Sequence, residues 1–163
     1  MSLIFDTHAH YDDEAFDADR ETLLASMPEH GVGLILDPGC DLGSSRRAVE
    51  LARTYPRVYA AVGWHPENCA PYTEDSLDAL RAWAREPKVV AIGEIGLDYY
   101  WEQNPPRELQ QRVLRDQLAL AQELGLPVIV HDREAHADSL AIVQEFPAVR
   151  GVFHCCLLYT SPS

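Results

Sequence analysis

The chain has 163 residues, 47% of them hydrophobic and 24% charged, proportions that mark a globular chain and exclude a disordered one. Against 26 acidic side chains stand 13 lysines and arginines, a net charge of −13 with histidine neutral. That balance excludes a basic DNA-coating protein and charge-driven binding to anionic membranes, but not an enzyme of nucleic acids, because metal ions can supply positive charge where a phosphate lands.

Short apolar runs alternate with segments of helical periodicity. The runs are Leu3–Asp6, Val32–Asp37, Val58–Gly63, Val89–Gly93, Pro127–His131 and Val149–His154. The first helical segment carries Phe16, Leu23, Leu24 and Met27 on its buried side, and the second carries Ala48, Val49 and Ala52. The third opens near Thr73, buries Leu77, Leu80 and Ala84, and is followed by Pro87. Pro106 opens the fourth, which turns Leu109, Val113, Ala121 and Leu124 inward and ends at Gly125 in the C-cap position. The fifth covers about residues 134–145, with Leu140 and Val143 expected inward.

Strict β–α alternation predicts an α/β fold with a parallel sheet and right-handed crossovers. An open doubly wound sheet and a TIM-type (β/α)8 barrel both fit. Uniformly short strands, with no Gly-rich phosphate loop after the first, favour the barrel. A barrel needs eight strands and typically about 250 residues, so the expectation is an incomplete barrel of about six strands and five helices.

The chemistry lies at the C-terminal ends of these strands, where α/β folds bind ligands. The first strand runs into His8 and His10, the third into His65, the fourth into Glu94, the fifth into His131 and the sixth into His154. Residues i and i+2 of a strand face the same way, so His8 and His10 can reach one cation while Ala9 points away. Asp6 can orient one of their rings. Glu94, between Gly93 and Gly96, is a carboxylate able to bridge two ions, with Asp98 and Tyr99 or Tyr100 following as groups that support the site or meet a substrate. Arg133 follows His131 and suits a phosphate oxygen, although an ion pair with Glu134 competes. His65 can ligate, contact substrate or pack beside Trp64. His30 and His136 fall on helical segments and read as solvated.

Neither a GxSxG elbow nor a P-loop is present. The implied machinery is a pair of divalent ions about 3.5–4 Å apart that activate a water. Mixed His and carboxylate ligands suit Zn²⁺, Mn²⁺ or Fe²⁺ and admit Mg²⁺. No run reaches the roughly 18 apolar residues of a membrane span, and the N-terminus lacks the basic flank and apolar stretch of a signal peptide. Cys40, Cys69, Cys155 and Cys156 form no CxxC pair, so a reducing cytoplasm without a disulfide framework is expected.

DTHAHYD at 6–12, VGWHP at 62–66, GEIGLDYY at 93–100, LPVIVHDREAHAD at 126–138 and GVFHC at 151–155 together resemble the TatD family of metal-dependent deoxyribonucleases. The family belongs to the amidohydrolase-like barrel superfamily. The resemblance implies hydrolysis of DNA phosphodiester bonds, expected as 3′→5′ exonuclease action on short single-stranded ends with two divalent ions (Mg, Mn or Zn). It implies His8, His10 and Glu94 around one ion, and Glu94, His131 and His154 around the second, with Glu94 the catalytic bridge. His65 and Arg133 would assist substrate binding, as would Asp98 and Tyr99. No membrane or obligate protein partner is expected.

The sequence from Cys156 departs from the family pattern, and the family's last ligand, a later aspartate, has no counterpart. The expectation is therefore one barrel domain over residues 1–155, with 156–163 a non-family tail of a truncated or chimeric frame. Two alternatives stand beside the nuclease: an amidohydrolase-type enzyme acting on small amides, lactones or phosphoesters, and an inactive fragment.

Overall fold

The computed structural model describes residues 3–155; Cys156 and the expected tail at 156–163 lie outside the described residues. In chain order the elements are β1 (Ile4–Asp6), α1 (Arg20–Ser26), β2 (Val32–Pro38), α2 (Leu42–Thr54), β3 (Val58–Val62), α3 (Glu74–Trp83), β4 (Val89–Asp98), α4 (Arg107–Leu124), β5 (Val128–Arg133), α5 (His136–Gln144) and β6 (Gly151–His154). All six strands are parallel and lie in the order β1-β2-β3-β4-β5-β6. A doubly wound sheet reverses its strand order at a switch point. This one never reverses, so it is the wall of a (β/α) barrel.

Local sequence explains the helix boundaries. Asp41 and Ser44 form a reciprocal capping box at the start of α2, and Thr73 and Ser76 form one at the start of α3. Gly125 ends α4 at φ +67, the left-handed C-cap that glycine adopts at least cost. The first helical segment is interrupted: Phe16 closes a 3-10 turn over Glu14–Phe16, and α1 begins only at Arg20.

Strand alternation divides the core into two faces. Ala60, Val62, Ile92, Val128 and Val130 pack outward under α2–α5. Leu36, Ala61, Ala91 and Ile129 face the barrel interior with Tyr59 and Val90 against them. At the edge strands apolar side chains stand open: Phe5, Val152 and Phe153 are all exposed. Two glutamines are buried on α4 because each pairs with otherwise unsatisfied backbone. Gln117 accepts from Trp64 N and donates to Trp64 O, at 2.7 and 3.1 Å, and Gln110 does the same for Asp98 at 2.9 and 3.1 Å.

Two expectations are corrected. Leu140 is exposed, and the inward positions of α5 belong to Ser139 and Ile142. Ser139 is turned inward by its hydroxyl, which donates to Asp132 at 3.2 Å. β4 runs on to Asp98 instead of stopping at Gly93, because Ile95–Asp98 continue to pair with Val130–Arg133 after a register shift.

Candidate metal centre

Glu94 is buried at the centre of the strand ends, 3% exposed. Its two carboxylate oxygens face two sets of imidazoles. Oε2 lies 3.3 Å from His8 Nε2 and 3.7 Å from His10 Nε2. Oε1 lies 3.1 Å from His131 Nδ1, 3.7 Å from His65 Nε2 and 3.7 Å from His154 Nε2. The two nitrogens His8 Nε2 and His10 Nε2 converge to 3.1 Å, and the rings of His8 and His154 stack at 3.7 Å. Every metal-ligand candidate of the sequence is thus gathered around one carboxylate, but His8 and His10 lie in the loop past β1, which ends at Asp6, so loop backbone and not a strand pleat brings their rings together.

The donor set fits divalent cations. Neutral imidazole nitrogens with a bridging carboxylate are the ligands that zinc, manganese and iron accept. Among the described residues three groups offer ligand atoms within 4.8 Å of one another: His8, His10 and Glu94; His65, Glu94 and His131; and His10, Asp12 and Asp37. Burial alone would raise the Glu94 carboxyl, but hydrogen bonds from His131 and His8 outweigh it and hold the group ionised, well below the usual carboxylate range.

The rings are fixed by different partners. Burial would lower the His131 imidazole, yet Glu94 on one nitrogen and Asp98 on the other, at 3.1 and 2.9 Å, raise it. His65 is pulled down to about 4 by burial, so it is neutral at pH 7. Its Nδ1 accepts the Glu67 amide at 3.3 Å, which leaves its proton on Nε2, facing Glu94. Among these histidines His65 is therefore suited to donate a hydrogen bond. Asp6 holds the His8 backbone amide at 3.1 Å instead of a ring.

Of the residues singled out for substrate, Asp98 is fully buried. Its carboxylate binds His131, and it also accepts from Tyr100 N and Asn104 Nδ2 at 3.0 and 3.1 Å, so it positions a ring and a turn. Tyr99 is turned away from the cluster: its hydroxyl donates to Asp138 at 2.9 Å and accepts from Gln111, between α4 and α5. Arg133 stacks over Tyr100 at 3.8 Å. His136 is not solvated, since its Nδ1 sits 2.6 Å from Asp132. Cys40, Cys69 and Cys155 are free thiols.

Sequence reading missed a buried carboxylate pair beside the cluster. Asp37 on β2 and Asp12 in the β1–α1 loop are 0% and 4% exposed, with His10 Nδ1 3.9 Å and Arg47 3.6 Å from Asp12. Neither Asp37 oxygen completes a hydrogen bond of good geometry. Burial, then the Asp12 charge, push the Asp37 acid up to about 8. An unfolded aspartate titrates near about 3.9. A folded value above the unfolded one means the proton favours folding: that stabilisation is complete below about pH 4 and lost as pH rises through about 8. Asp37→Asn should therefore stabilise the metal-free chain more at pH 8.5 than at pH 5, by on the order of 2 kcal/mol. Thermal melts of both proteins in EDTA at the two pH values check this, and an unchanged difference would refute it.

Comparison with known proteins gives the context. The family model described as "TatD related DNase" matches residues 5–160. The "Uncharacterized metal-dependent hydrolase YabD" of Bacillus subtilis (strain 168) is 41% identical over 94% of this chain and 60% of its own length. The "3'-5' ssDNA/RNA exonuclease TatD" of Cronobacter turicensis is 38% identical over 93% of this chain and 58% of its own length. The crystal structure of YJJV, a TatD homolog from Escherichia coli K12, superposes with a TM-score of 0.85 at 36% identity, covering 98% of this chain and 61% of that one. The chain thus spans about three-fifths of the length of such relatives. Among the described residues no helix is long and apolar enough to cross a membrane.

Proposed function

Because the chain belongs to the TatD-related DNase family, we propose that its strand-end cluster serves metal-dependent hydrolysis of phosphodiester bonds in DNA. The observation that carries this reading is the division of one buried carboxylate between two groups of histidines, at 3.3 and 3.7 Å on Oε2 and at 3.1 and 3.7 Å on Oε1. His8, His10 and Glu94 would hold one divalent ion, and Glu94, His131 and His154 a second, drawn from Mg, Mn or Zn. Bound there, such ions supply Lewis acidity to a phosphoryl oxygen and lower the pKa of water.

The chain's own residues do the rest. Glu94 stays ionised and fixes two sets of donors against one another. Asp98 holds the His131 ring from its far nitrogen, an arrangement that fixes orientation and strengthens the ring as a ligand. His65 presents Nε2–H toward a phosphate oxygen, and Arg133 presents a guanidinium for a second one. Relatives named as 3′–5′ exonucleases on single-stranded DNA and RNA support short single-stranded ends as substrate.

The test is incubation of the chain with a 5′-labelled single-stranded oligonucleotide and Mg²⁺, Mn²⁺ or Zn²⁺. A cation-dependent, EDTA-sensitive ladder of products shortened from the 3′ end is expected. No cleavage of DNA or RNA with any cation, alongside hydrolysis of small amides, lactones or phosphoesters, would move the chain to a different branch of hydrolases.

A further inference from the structure

Beside the cluster, two exposed aromatic side chains and an arginine are assembled without an internal partner to explain them. Tyr100 and Trp101, just past β4, are 49% and 43% exposed. Their rings meet edge to face, with centroids 4.6 Å apart and planes at 84°. The Arg133 guanidinium lies 3.8 Å from the Tyr100 ring centre and 5.2 Å from that of Trp101. Water ordinarily drives such rings inward, so two side by side at the surface mark a binding surface.

The placement follows from the strands. Arg133 and His131 are i and i+2 on β5, so they project from the same face. Arg133 is registered against Asp98, and its carbonyl accepts the Tyr99 amide at 3.0 Å, which locks the ends of β4 and β5 together. Tyr99 goes to the helix side, where Asp138 and Gln111 hold its hydroxyl, and Tyr100 lies in the turn past β4, its amide donating to Asp98 Oδ1 at 3.0 Å. The guanidinium projects from the His131 face of β5, and its contacts with both rings hold them at that end of the sheet. Among the described residues no carboxylate lies within 4.0 Å of Arg133, whereas Arg53, Arg81 and Arg115 are each engaged by a glutamate. A guanidinium steered by an aromatic face, with Glu67 near enough to feel its charge but no carboxylate in ion-pair contact among the described residues, is suited to receive an anion in a chain of net charge −13.

We propose that Tyr100, Trp101 and Arg133 form a nucleotide clamp beside the cluster, in which the rings stack on one base and the guanidinium holds a phosphate of the same strand. The clamp rests on the reading of the centre as a nucleic-acid hydrolase. It assigns recognition to the flat face common to every base, so the site takes any sequence and selects for unstacked, single-stranded ends.

The test compares two tetranucleotides with equal phosphates, thymidine tetramer and an all-abasic tetramer, by calorimetric titration into the Mg²⁺-loaded chain. The wild-type chain should bind the thymidine tetramer about tenfold more tightly. Tyr100→Ala and Trp101→Ala, both exposed positions, should each remove most of that preference and leave the abasic affinity unchanged. Arg133→Met should weaken both tetramers alike and lower the slope of log K against log salt by about one. If both tetramers bind equally to the wild-type chain, or the aromatic variants keep the preference, the clamp is overturned while the nuclease reading stands. If neither tetramer binds, the nucleic-acid reading is overturned and the clamp with it.

Discussion

Glutamine in place of Glu94 should lower divalent-cation affinity by more than about 100-fold while leaving the chain folded. Losing an outer partner of a metal ligand already costs about 10–100-fold, and Glu94 is shared by both sets of histidines. Glutamine keeps the volume but offers one neutral oxygen and an NH₂ group that cannot ligate. Cation binding also feeds into stability. At a free cation concentration about 100 times Kd, wild-type folding gains about 2.7 kcal/mol, a rise of roughly 5–10 °C in Tm for a chain of this size. The variant should melt at one temperature with or without added Mn²⁺ or Zn²⁺. Calorimetric titration and melts of both proteins make the measurement, and equal uptake by Glu94→Gln would remove Glu94 from the centre of the site.

The cluster was readable because its residues sit where a parallel α/β chain exposes them. A histidine or glutamate after an apolar run is placed by the strand end, which puts Glu94, His131 and His154 together, while His8 reaches the same carboxylate from the loop past β1. The strand period, carried to the end of β4, accounts for Tyr99. Asp98 faces His131, so the pleat sends Tyr99 to the opposite side, where Asp138 and Gln111 receive it. Tyr100 lies in the bend past the end of β4, where strand alternation no longer assigns a face.

Other features were beyond local pattern. Asp12 and Asp37 meet only because the β1–α1 loop folds back over β2, and nothing near either residue in sequence announces a buried acid pair. Hydrophobicity predicts Leu140 inward, yet the inward place goes to a serine with a buried carboxylate to satisfy. Gln110 and Gln117 read as polar interruptions of the apolar stripe on α4. They are buried because strand ends that turn toward the site leave backbone groups for a side-chain amide to complete. The misreadings share a cause: a polar group was buried by a partner far away in sequence, which periodicity cannot register.

Alanine at Gly96 should destabilise the chain by about 3–5 kcal/mol and weaken the metal centre in whatever remains folded. Gly96 has φ +143, a region that side chains with a Cβ adopt only under strain. A Cβ there would also land on the carbonyl oxygen of His131 and within 2.9 Å of that residue's carbonyl carbon and amide nitrogen. The obstacle is backbone of the paired strand, so no rotamer change relieves it. Either β4 and β5 separate or His131 is displaced, and His131 is the ring held between Glu94 and Asp98. Gly125→Ala provides the comparison: φ is also positive, at +67, but nothing lies within 4 Å of the added methyl. It should cost only about 1 kcal/mol, the ordinary price of a left-handed cap without glycine. Denaturant titrations of the metal-free variants, followed by Mn²⁺ titration of the folded fraction, distinguish the two. A Gly96→Ala protein within about 1 kcal/mol of wild type would mean that the β4–β5 pairing gives way cheaply, and the close approach of Gly96 to His131 would no longer account for the register that delivers the histidine to the site.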